Sequence, residues 1–353
     1  MEQELAFKSQ EKIYKTIGGC KLPQNKLLKY LEKIGRGEIA KETPDVSVKP
    51  VRNSKKSLVS TIDFFFPNVQ DPYMQGRIAC CNVLSDLYAM GVEEVDQVLM
   101  VLGVSRDMDE QQQEVVTTLM IAGFDDCATQ ANSQVVGGQT IFNPWPMIGG
   151  VGISAVSPDE YLMPTRAEAG DLIVMTKALG TQVASNAYQW LTRKDQTKWE
   201  TMTSITNENE VIELFEKAQN QMATLNLLGA KLMKKYNAHA ATDITGFGLL
   251  GHANQLAQVQ KNKVNFVINT LVTLKNAVKI DKNGHNFKLI DGYSAETSGG
   301  LLIAISKENA EKFVNEMNEN NQTAHIIGEV VEGNQDQEEN KAILQENPKL
   351  IEV

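Results

Sequence analysis

Residues 60–91, STIDFFFPNVQDPYMQGRIACCNVLSDLYAMG, constrain the fold most, because they predict an apolar strand and an apolar helix that each carry a carboxylate. The β-branched and aromatic residues at 60–66 predict a strand that a proline ends. Asp71, followed by a proline, predicts the N-cap of a helix that runs to about residue 90 and stops at Gly91. The chain is therefore predicted to contain a strand–helix unit with little polar surface.

Two carboxylates stand out in this unit. Asp63 interrupts the strand with a charge, and Asp86 follows Asn82 by four residues, so that Asn82 and Asp86 share one helix face. A buried carboxylate is costly unless a cation or hydrogen-bond donors satisfy it, and a divalent metal is the usual cation. The local pattern also fits a simpler interpretation, in which Asp63 ends a strand and Asp86 lies on a solvated helix face.

Composition narrows the classes of partner. The 353 residues suggest about two domains, and the hydrophobic content of 42% suffices for ordinary cores. A formal net charge of −10 argues against nucleic acid or an anionic membrane surface as the main partner. An anionic ligand such as a nucleotide would need metal ions, lysines or backbone amides to offset this charge.

The cysteines indicate a reducing compartment. Cys20, Cys80, Cys81 and Cys127 have the spacing of neither a disulfide framework nor a zinc site, and no secretory signal is evident. The last three lie in helical patterns and are expected in the core. No apolar run is long enough to span a membrane. We therefore expect a cytoplasmic protein.

A glycine-rich segment near the start places a thiol beside a cation. Gly18 and Gly19 precede Cys20 and Lys21, which gives a pliable backbone, and the lysine would favour the thiolate form of the cysteine. The alternative is a turn with an incidental cysteine.

The remaining pattern alternates strands with helices, which predicts two α/β or α+β domains. Asp107 is predicted to cap a helix that ends near residue 131, and residues 192–210 are predicted to be a surface excursion. One long helix is predicted at 211–236, and an acidic, glutamine-rich solvated segment is predicted after a last strand at 325–330. Further predicted helices lie at 25–34 and 307–318, and further predicted strands lie at 46–51, 97–104, 134–141, 147–156, 171–176, 264–268 and 301–305.

A second concentration of candidate residues lies at 238–252. Asp243 ends a short predicted strand, and a glycine-containing turn and a helix follow, so that a metal or phosphate would find a carboxylate beside a helix N-terminus. His239 and His252 have no convincing ligand spacing and are expected to be structural.

Taken together, these landmarks identify a family resemblance. The chain resembles the selenophosphate synthetase (selenide, water dikinase) family, in particular its animal-type branch, over essentially its whole length. The motifs that carry the resemblance are Gly19-Cys20-Lys21, the TIDFF run at 61–65, the DPYM run at 71–74, the GRIA run at 76–79, the NVLSDLYAMG run at 82–91, Gly137-Gly138-Gln139-Thr140 and the TDITGFG run at 242–248.

The resemblance implies an α/β (α+β) architecture of the AIR-synthetase-like (PurM-like) type. It implies a homodimer in which the amino-terminal domains of two subunits pair into a β-barrel. The expected boundaries are a flexible arm at 1–40, an ATP- and metal-binding dimerisation domain at 41–157, and a carboxy-terminal AIR-synthetase-like domain at 158–353.

The resemblance also implies the reaction and its residues. Family members convert ATP, selenide and water into selenophosphate, AMP and phosphate with Mg²⁺, and phosphoryl transfer depends mainly on positioning and charge neutralisation. By motif, the catalytic pair is Cys20 and Lys21, with Lys21 on the ATP phosphates. The implied Mg²⁺ ligands, which suit the oxygen preference of this ion, are Asp45, Asp86 and Asp243. The implied nucleotide site also includes Thr43, Pro44 and Asp63. Four further residues, Gly137, Gly138, Gln139 and Thr140, would complete an ATP site, either that of the same subunit or that of the neighbouring subunit.

One departure from the family pattern keeps three hypotheses open. The family places a cysteine or selenocysteine two residues before the conserved cysteine, and some animal members carry other residues there. This chain has Gly18, which cannot act as a nucleophile. The hypotheses are a selenophosphate synthetase in which Cys20 supplies the thiol, an enzyme that turns over ATP without efficient selenide use, and a non-catalytic nucleotide-binding regulator.

Overall fold

The computed structural model describes residues 24–35, 46–192, 196–334 and 336–353. Its strands form two mixed sheets, one in each half of the chain. A first helix, α1 (Gln24–Lys33), precedes the first sheet. Within the described ranges, no helix combines the length and the apolar character that a membrane crossing requires.

The first sheet has five strands in the order β1-β2-β5-β3-β4. Only the β3–β4 pair is parallel among the pairs of this sheet. Two helices, α2 (Pro72–Ala89) and α3 (Glu110–Gln130), pack together against one face of the sheet. The strands are β1 (Ser47–Pro50), β2 (Ser57–Phe65), β3 (Gln97–Ser105), β4 (Val135–Asn143) and β5 (Met147–Val156).

Helix α2 begins and ends as its sequence predicts. The Asp71 side chain accepts hydrogen bonds from the backbone N–H groups of Tyr73 and Met74 and so satisfies donors that the first turn leaves open. After the helix, Gly91 adopts φ +72°, a left-handed conformation that glycine takes without strain.

Helix α3 begins later than predicted. The cap is Asp109 rather than Asp107, because the Asp109 side chain accepts from the Gln112 N–H while the Gln112 side chain accepts from the Asp109 N–H. This reciprocal capping box satisfies two backbone donors at once, which an isolated aspartate two residues earlier does not.

The second sheet has six strands in the order β11-β8-β10-β6-β9-β7. Its strands are β6 (Leu172–Met175), β7 (Ala240–Asp243), β8 (Val264–Thr273), β9 (Leu301–Ile305), β10 (His325–Glu332) and β11 (Ala342–Glu352). Its accompanying helices are α4 (Thr181–Thr192), α5 (Gln196–Met202), α6 (Glu208–Met222), α7 (Leu227–Lys235), α8 (Gly248–Gln258), α9 (Ala277–Asn283) and α10 (Lys307–Glu319).

Three predictions for this half are wrong. The supposed surface excursion at 192–210 contains α5, whose Met202 is buried in the core. The single helix predicted at 211–236 is two helices, α6 and α7. The closing segment is not merely solvated, because β11 pairs in parallel with β8 and its Leu344 and Ile351 pack against the core.

Helix α2 lies at the junction of the two sheets. Its Ile78 packs with Phe215 and Met222 of α6, and its Ala89 packs in the cluster that contains Leu301 of β9. Because both sides of the helix are covered, its polar residues on the side of the second sheet are buried together with its apolar ones. Cys80, Cys81 and Cys127 are all buried in this core, as the sequence predicts.

Candidate functional site

Part of the predicted site lies outside the described residues. Cys20, Lys21, Thr43, Pro44 and Asp45 fall in the ranges that the structure does not describe. The described part of the site consists of the carboxylates of β2, α2 and β7 and the side chains around them.

Asp86 and Asp63 are held by polar neighbours within the strand–helix unit. Thr61 Oγ1 donates to Asp86 Oδ2 at 2.6 Å, and Asn82 Nδ2 donates to Asp63 Oδ2 at 2.8 Å. These contacts arise because alternate residues of β2 face α2, while Asn82 and Asp86 lie one helical turn apart. The strand and the helix therefore orient both carboxylates from the same side of the sheet.

Asn82 also connects the two halves of the chain. Its Oδ1 accepts a hydrogen bond from the backbone N–H of Ser298 at 2.9 Å, across 216 residues of sequence. Both ends of one buried amide are thus used, one for Asp63 and one for the segment at 294–300, which we call the junction loop. Asn68 reinforces the connection, because its Nδ2 donates to Thr297 Oγ1 at 2.8 Å.

The junction loop also runs beside the second predicted metal ligand. Asp243 ends β7, is 1% exposed and pairs in register with Leu301 of β9. The next residue, Ile244, donates its N–H to the Gly300 carbonyl at 2.9 Å. An added Cβ at Gly299 would lie 2.1 Å from the Ile244 carbonyl oxygen, so only glycine fits there. Asp63 and Asp243 are therefore attached to the same short loop.

A buried lysine holds the middle of the junction loop. Lys177 is 8% exposed, and its Nζ donates to the Thr224 carbonyl at 2.7 Å and to the Ser298 carbonyl at 2.9 Å. Burial lowers the pKa of the Lys177 ammonium to about 8, against an opposing attraction from Asp243 and from buried thiols.

The start of the junction loop is fixed to helix α4. The Glu296 carboxylate accepts hydrogen bonds from the N–H groups of Gly180 and Thr181 at 2.7 and 2.9 Å, and also from the Thr181 hydroxyl. It occupies the positive end of the α4 dipole. Burial raises the pKa of the Glu296 carboxyl to about 7, although the three donors act in the opposite direction.

The carboxylates suit a hard divalent cation. Asp86 and Asp243 offer the oxygen ligands that Mg²⁺ prefers, and both are at least nine-tenths buried. Among the residues that the structure describes, no group of three or more potential ligands is assembled. The third predicted ligand, Asp45, is outside those residues. The two described carboxylates thus fit the predicted ion chemically, and their part in its coordination stays a prediction.

The two histidines have local partners. His239 Nδ1 lies 2.8 Å from Asp171 Oδ2, and His252 Nε2 lies 3.1 Å from Thr245 Oγ1. Both contacts hold neighbouring segments together, in line with the expected structural role.

The predicted glycine motif lies away from the carboxylates of its own chain. Gly137, Gly138, Gln139 and Thr140 are exposed on the edge strand β4, three strand spacings or about 14 Å from β2. Gly138 has φ +147°, and an added Cβ there would lie 1.8 Å from the Met100 carbonyl oxygen. Its backbone thus requires glycine, while its part in a nucleotide site stays a prediction.

Sequence reasoning missed Thr61, Lys177 and Ser298 as neighbours of the site. A lysine two residues after the apolar strand β6 and a serine before paired glycines were the available signals, because charges and paired glycines are unusual in buried segments. Neither signal says which distant residue is the partner.

Comparison with family models divides the chain in two. Residues 45–156 match the AIR synthase related protein, N-terminal domain, and residues 168–339 match the AIR synthase related protein, C-terminal domain.

Individual relatives are similar over nearly the whole chain. A selenide, water dikinase from Dictyostelium discoideum is 49% identical, with 95% of this chain and 92% of that protein covered. Selenide, water dikinase 2 from Mus musculus is 44% identical over 95% of this chain and 81% of its own. The solved structure of AaThiL complexed with AMPPCP and TMP is similar in fold, with a TM-score of 0.65 and 19% identity over 95% of this chain and 98% of that chain.

Proposed function

Because this chain belongs to the selenide, water dikinase family of AIR synthase related proteins, we propose that it converts ATP, selenide and water into selenophosphate, AMP and phosphate. The observation that carries this proposal is 49% identity to a selenide, water dikinase across 95% of the chain. The buried carboxylates at the junction of the two sheets give this similarity a chemical basis.

The described residues have separate tasks in this reaction. Asp86 and Asp243, together with Asp45, would hold Mg²⁺, which would neutralise the negative charge of the phosphates. Thr61 fixes the orientation of Asp86, and Asn82 fixes that of Asp63 beside the nucleotide. This neutralisation is needed because a chain of net charge −10 otherwise repels a polyanion.

The arm is proposed to supply the remaining groups. Lys21 would bring its ammonium group beside the transferred phosphoryl group. Cys20 would supply the thiol that interacts with selenide, because Gly18 offers no side chain for that role. The γ-phosphoryl group passes from ATP to selenium, which forms selenophosphate and leaves ADP. Water then cleaves the bond between the α- and β-phosphates of ADP, which gives AMP and phosphate.

The proposed assembly is a homodimer. Among the described residues, the face of the first sheet opposite α2 and α3 carries exposed apolar side chains such as Ile62 and Phe64, and an exposed apolar face of this kind is typical of an interface. Gly137 to Thr140 on the edge strand would then complete the site of the other subunit. The cytoplasm is the proposed location, because the spacing of the cysteines does not match a disulfide framework.

Phosphorus NMR of the purified protein with Mg²⁺ and ATP, with and without selenide under reducing conditions, tests the reaction. We expect selenophosphate, AMP and phosphate only when selenide is present. AMP and phosphate without selenophosphate would contradict selenide as the acceptor, and absence of turnover would contradict a catalytic function.

Variants of the arm locate the chemistry. Lys21→Ala is expected to lower turnover by about a hundredfold, the usual effect of losing one transition-state contact. Cys20→Ser is expected to abolish selenophosphate formation and to retain ATP binding, and Gly18→Cys is expected to raise selenide-dependent turnover. If Cys20→Ser loses nothing and Gly18→Cys gains nothing, Cys20 has no role with selenide.

A further inference from the structure

Lys177 is an unusual residue to find inside this fold. It is 8% exposed, and its two hydrogen-bond partners among the described residues are backbone carbonyls rather than carboxylates. Burying an ammonium group is costly, and an apolar side chain of similar size fills such a space at lower cost. The position of this cation therefore calls for a reason other than packing.

The two carbonyls that Lys177 binds belong to different segments. Thr224 lies in the break between α6 and α7, and Ser298 lies in the junction loop. Asn226, in the same break, donates its Nδ2 to Ser85 Oγ and to the Gly299 carbonyl, each at 2.9 Å. Lys177 and Asn226 thus hydrogen-bond to the junction loop from one side, and Asn82 of α2 hydrogen-bonds to it from the other.

Ser298 is the residue at which these contacts meet. Its carbonyl accepts from Lys177, and its N–H donates to Asn82, whose other end binds Asp63. It has φ +46°, an uncommon conformation for a residue with a side chain, which persists where the surroundings hold it in place. A continuous path of hydrogen bonds therefore leads from Lys177 through Ser298 and Asn82 to Asp63.

The same loop reaches the other carboxylate. Gly300 accepts from the N–H of Ile244, directly after Asp243, and an added Cβ at Gly300 would lie 2.4 Å from the Lys177 nitrogen of the main chain. Displacement of the loop would therefore act on the carboxylates of both sheets.

We propose that Lys177 is a positioning residue of the nucleotide and metal site, which holds the junction loop so that Asp63 and Asp243 keep their relative placement. This role of Lys177 rests on the proposed ATP site. Among the described residues, Lys177 makes no hydrogen bond to a proposed metal ligand, and it belongs to none of the motifs that carry the family resemblance. It acts through Ser298 and Asn82.

A double-mutant cycle measures this coupling. Binding of the non-hydrolysable analogue AMPPCP is followed by calorimetry over a Mg²⁺ titration, without selenide, for wild type, Lys177→Met, Asn82→Ala and the double variant. We expect Lys177→Met to weaken Mg²⁺-dependent binding by about tenfold or more, as is usual when an outer contact of a metal site is lost. We expect the double variant to bind AMPPCP no more than about twofold more weakly than whichever single variant binds it less tightly. The reason is that Lys177 and Asn82 both act through the junction loop.

Lys234→Met is the matched control. Lys234 also comes from the second half of the chain and pairs with Glu93 of the first half at 3.7 Å, but it is about half exposed at the surface. We expect its removal to change AMPPCP binding by less than about twofold, because exposed ion pairs contribute little.

Two results would overturn the proposal. One is AMPPCP binding by Lys177→Met within twofold of wild type at every Mg²⁺ concentration, and the other is full multiplication of the two single effects in the double variant. If Lys177→Met does not fold by circular dichroism, Lys177→Arg, which keeps the charge but not the compact ammonium, replaces it in the same cycle. Because selenide is absent, failure of selenophosphate synthesis leaves this test intact.

Discussion

Among the described residues, Asp86 and Asp243 are the two on which the proposed metal site depends most directly. One stands on a helix and accepts from Thr61, and the other ends β7 in the second sheet. A neutral amide of the same shape in place of either would keep the packing and lose the negative charge.

The first prediction follows from that loss of charge. We expect Asp86→Asn and Asp243→Asn each to weaken Mg²⁺-dependent AMPPCP binding by about tenfold or more, measured by calorimetry. Asp126→Asn, at an exposed aspartate that accepts from the Tyr73 hydroxyl, serves as the control. Unchanged binding by both site variants would refute the assignment.

Glu296 supports a prediction about pH. Its folded-state pKa of about 7 lies above the ordinary value of 4.5, so between these values the folded protein retains a proton that the unfolded chain releases. This contribution to stability is fully present below pH 4.5 and is lost as pH rises through 7.

The measurement is urea unfolding at several pH values between 4.5 and 7.5. We expect the free energy of unfolding of Glu296→Gln, relative to wild type, to increase by up to about 3 kcal/mol across this window, because the variant no longer carries the penalty of ionisation. Glu338→Gln, at an exposed glutamate, should give a constant difference. A constant difference for Glu296→Gln as well would contradict the prediction.

At the scale of elements, the close contact between α2 and α3 sets the geometry of the site helix. An added Cβ at Gly76 of α2 would lie 2.1 Å from the Met120 carbonyl oxygen, and one at Gly123 of α3 would lie 1.9 Å from the Tyr73 carbonyl oxygen. The two backbones therefore touch at two places where only hydrogen fits.

The prediction at this scale is that Gly76→Ala separates the helices and destabilises the fold. We expect a loss of about 1–3 kcal/mol in the free energy of unfolding, the usual cost of overpacking a core, despite the better helix propensity of alanine. Thr118→Ala on the exposed side of α3 is the control and should change stability by less than about 0.5 kcal/mol. Equal stability of Gly76→Ala and wild type would show that the contact is not tight.

The helix that the sequence predicts at 211–236 shows how elements are divided by tertiary contacts. The break between α6 and α7 contains Thr224 and Asn226, and neither is a strong helix breaker. The Thr224 carbonyl instead accepts from Lys177, and the Asn226 side chain reaches Ser85 and Gly299. Lys177 thus satisfies a backbone carbonyl that a continuous helix would have used, and the Asn226 side chain joins the break to two distant segments.

For the whole molecule, the outer face of the first sheet is an apolar surface that is exposed among the residues the structure describes. Side chains of β2 alternate between the buried Val59 and Thr61 and the exposed Ile62 and Phe64, the last two being 58% and 53% exposed. An apolar face of this extent is expected to be covered by a second copy of the chain in the proposed dimer.

The prediction is that a charge on this face prevents dimer formation and nucleotide binding together. We expect wild type to be a dimer by light scattering and Ile62→Glu to shift toward monomer, with weaker AMPPCP binding, because Gly137 to Thr140 would belong to the partner's site. Ile212→Glu, at an exposed isoleucine of α6, should change neither property. A monomeric wild type that binds AMPPCP would disprove the shared site.

Local sequence is sufficient to predict those elements whose boundaries are set by neighbouring residues. The start of α2 at Asp71 and its stop at Gly91 follow from a side-chain cap and a left-handed glycine, and β9 follows from an apolar run after paired glycines. The placement of Asp63 on a strand and Asp86 on a helix was predictable for the same reason, since cap and period act over only a few residues.

Hydrogen bonds between segments that are distant in sequence could not be predicted, because they depend on how the two sheets pack. The bond between Asn82 and Ser298 spans 216 residues, the Thr224 carbonyl in the break after α6 accepts from Lys177, and β11 becomes a strand through its pairing with β8. In each case the local sequence permits more than one conformation. The packing of the two sheets around α2 brings these distant segments together, and the conformation that forms is one in which their buried backbone groups can pair.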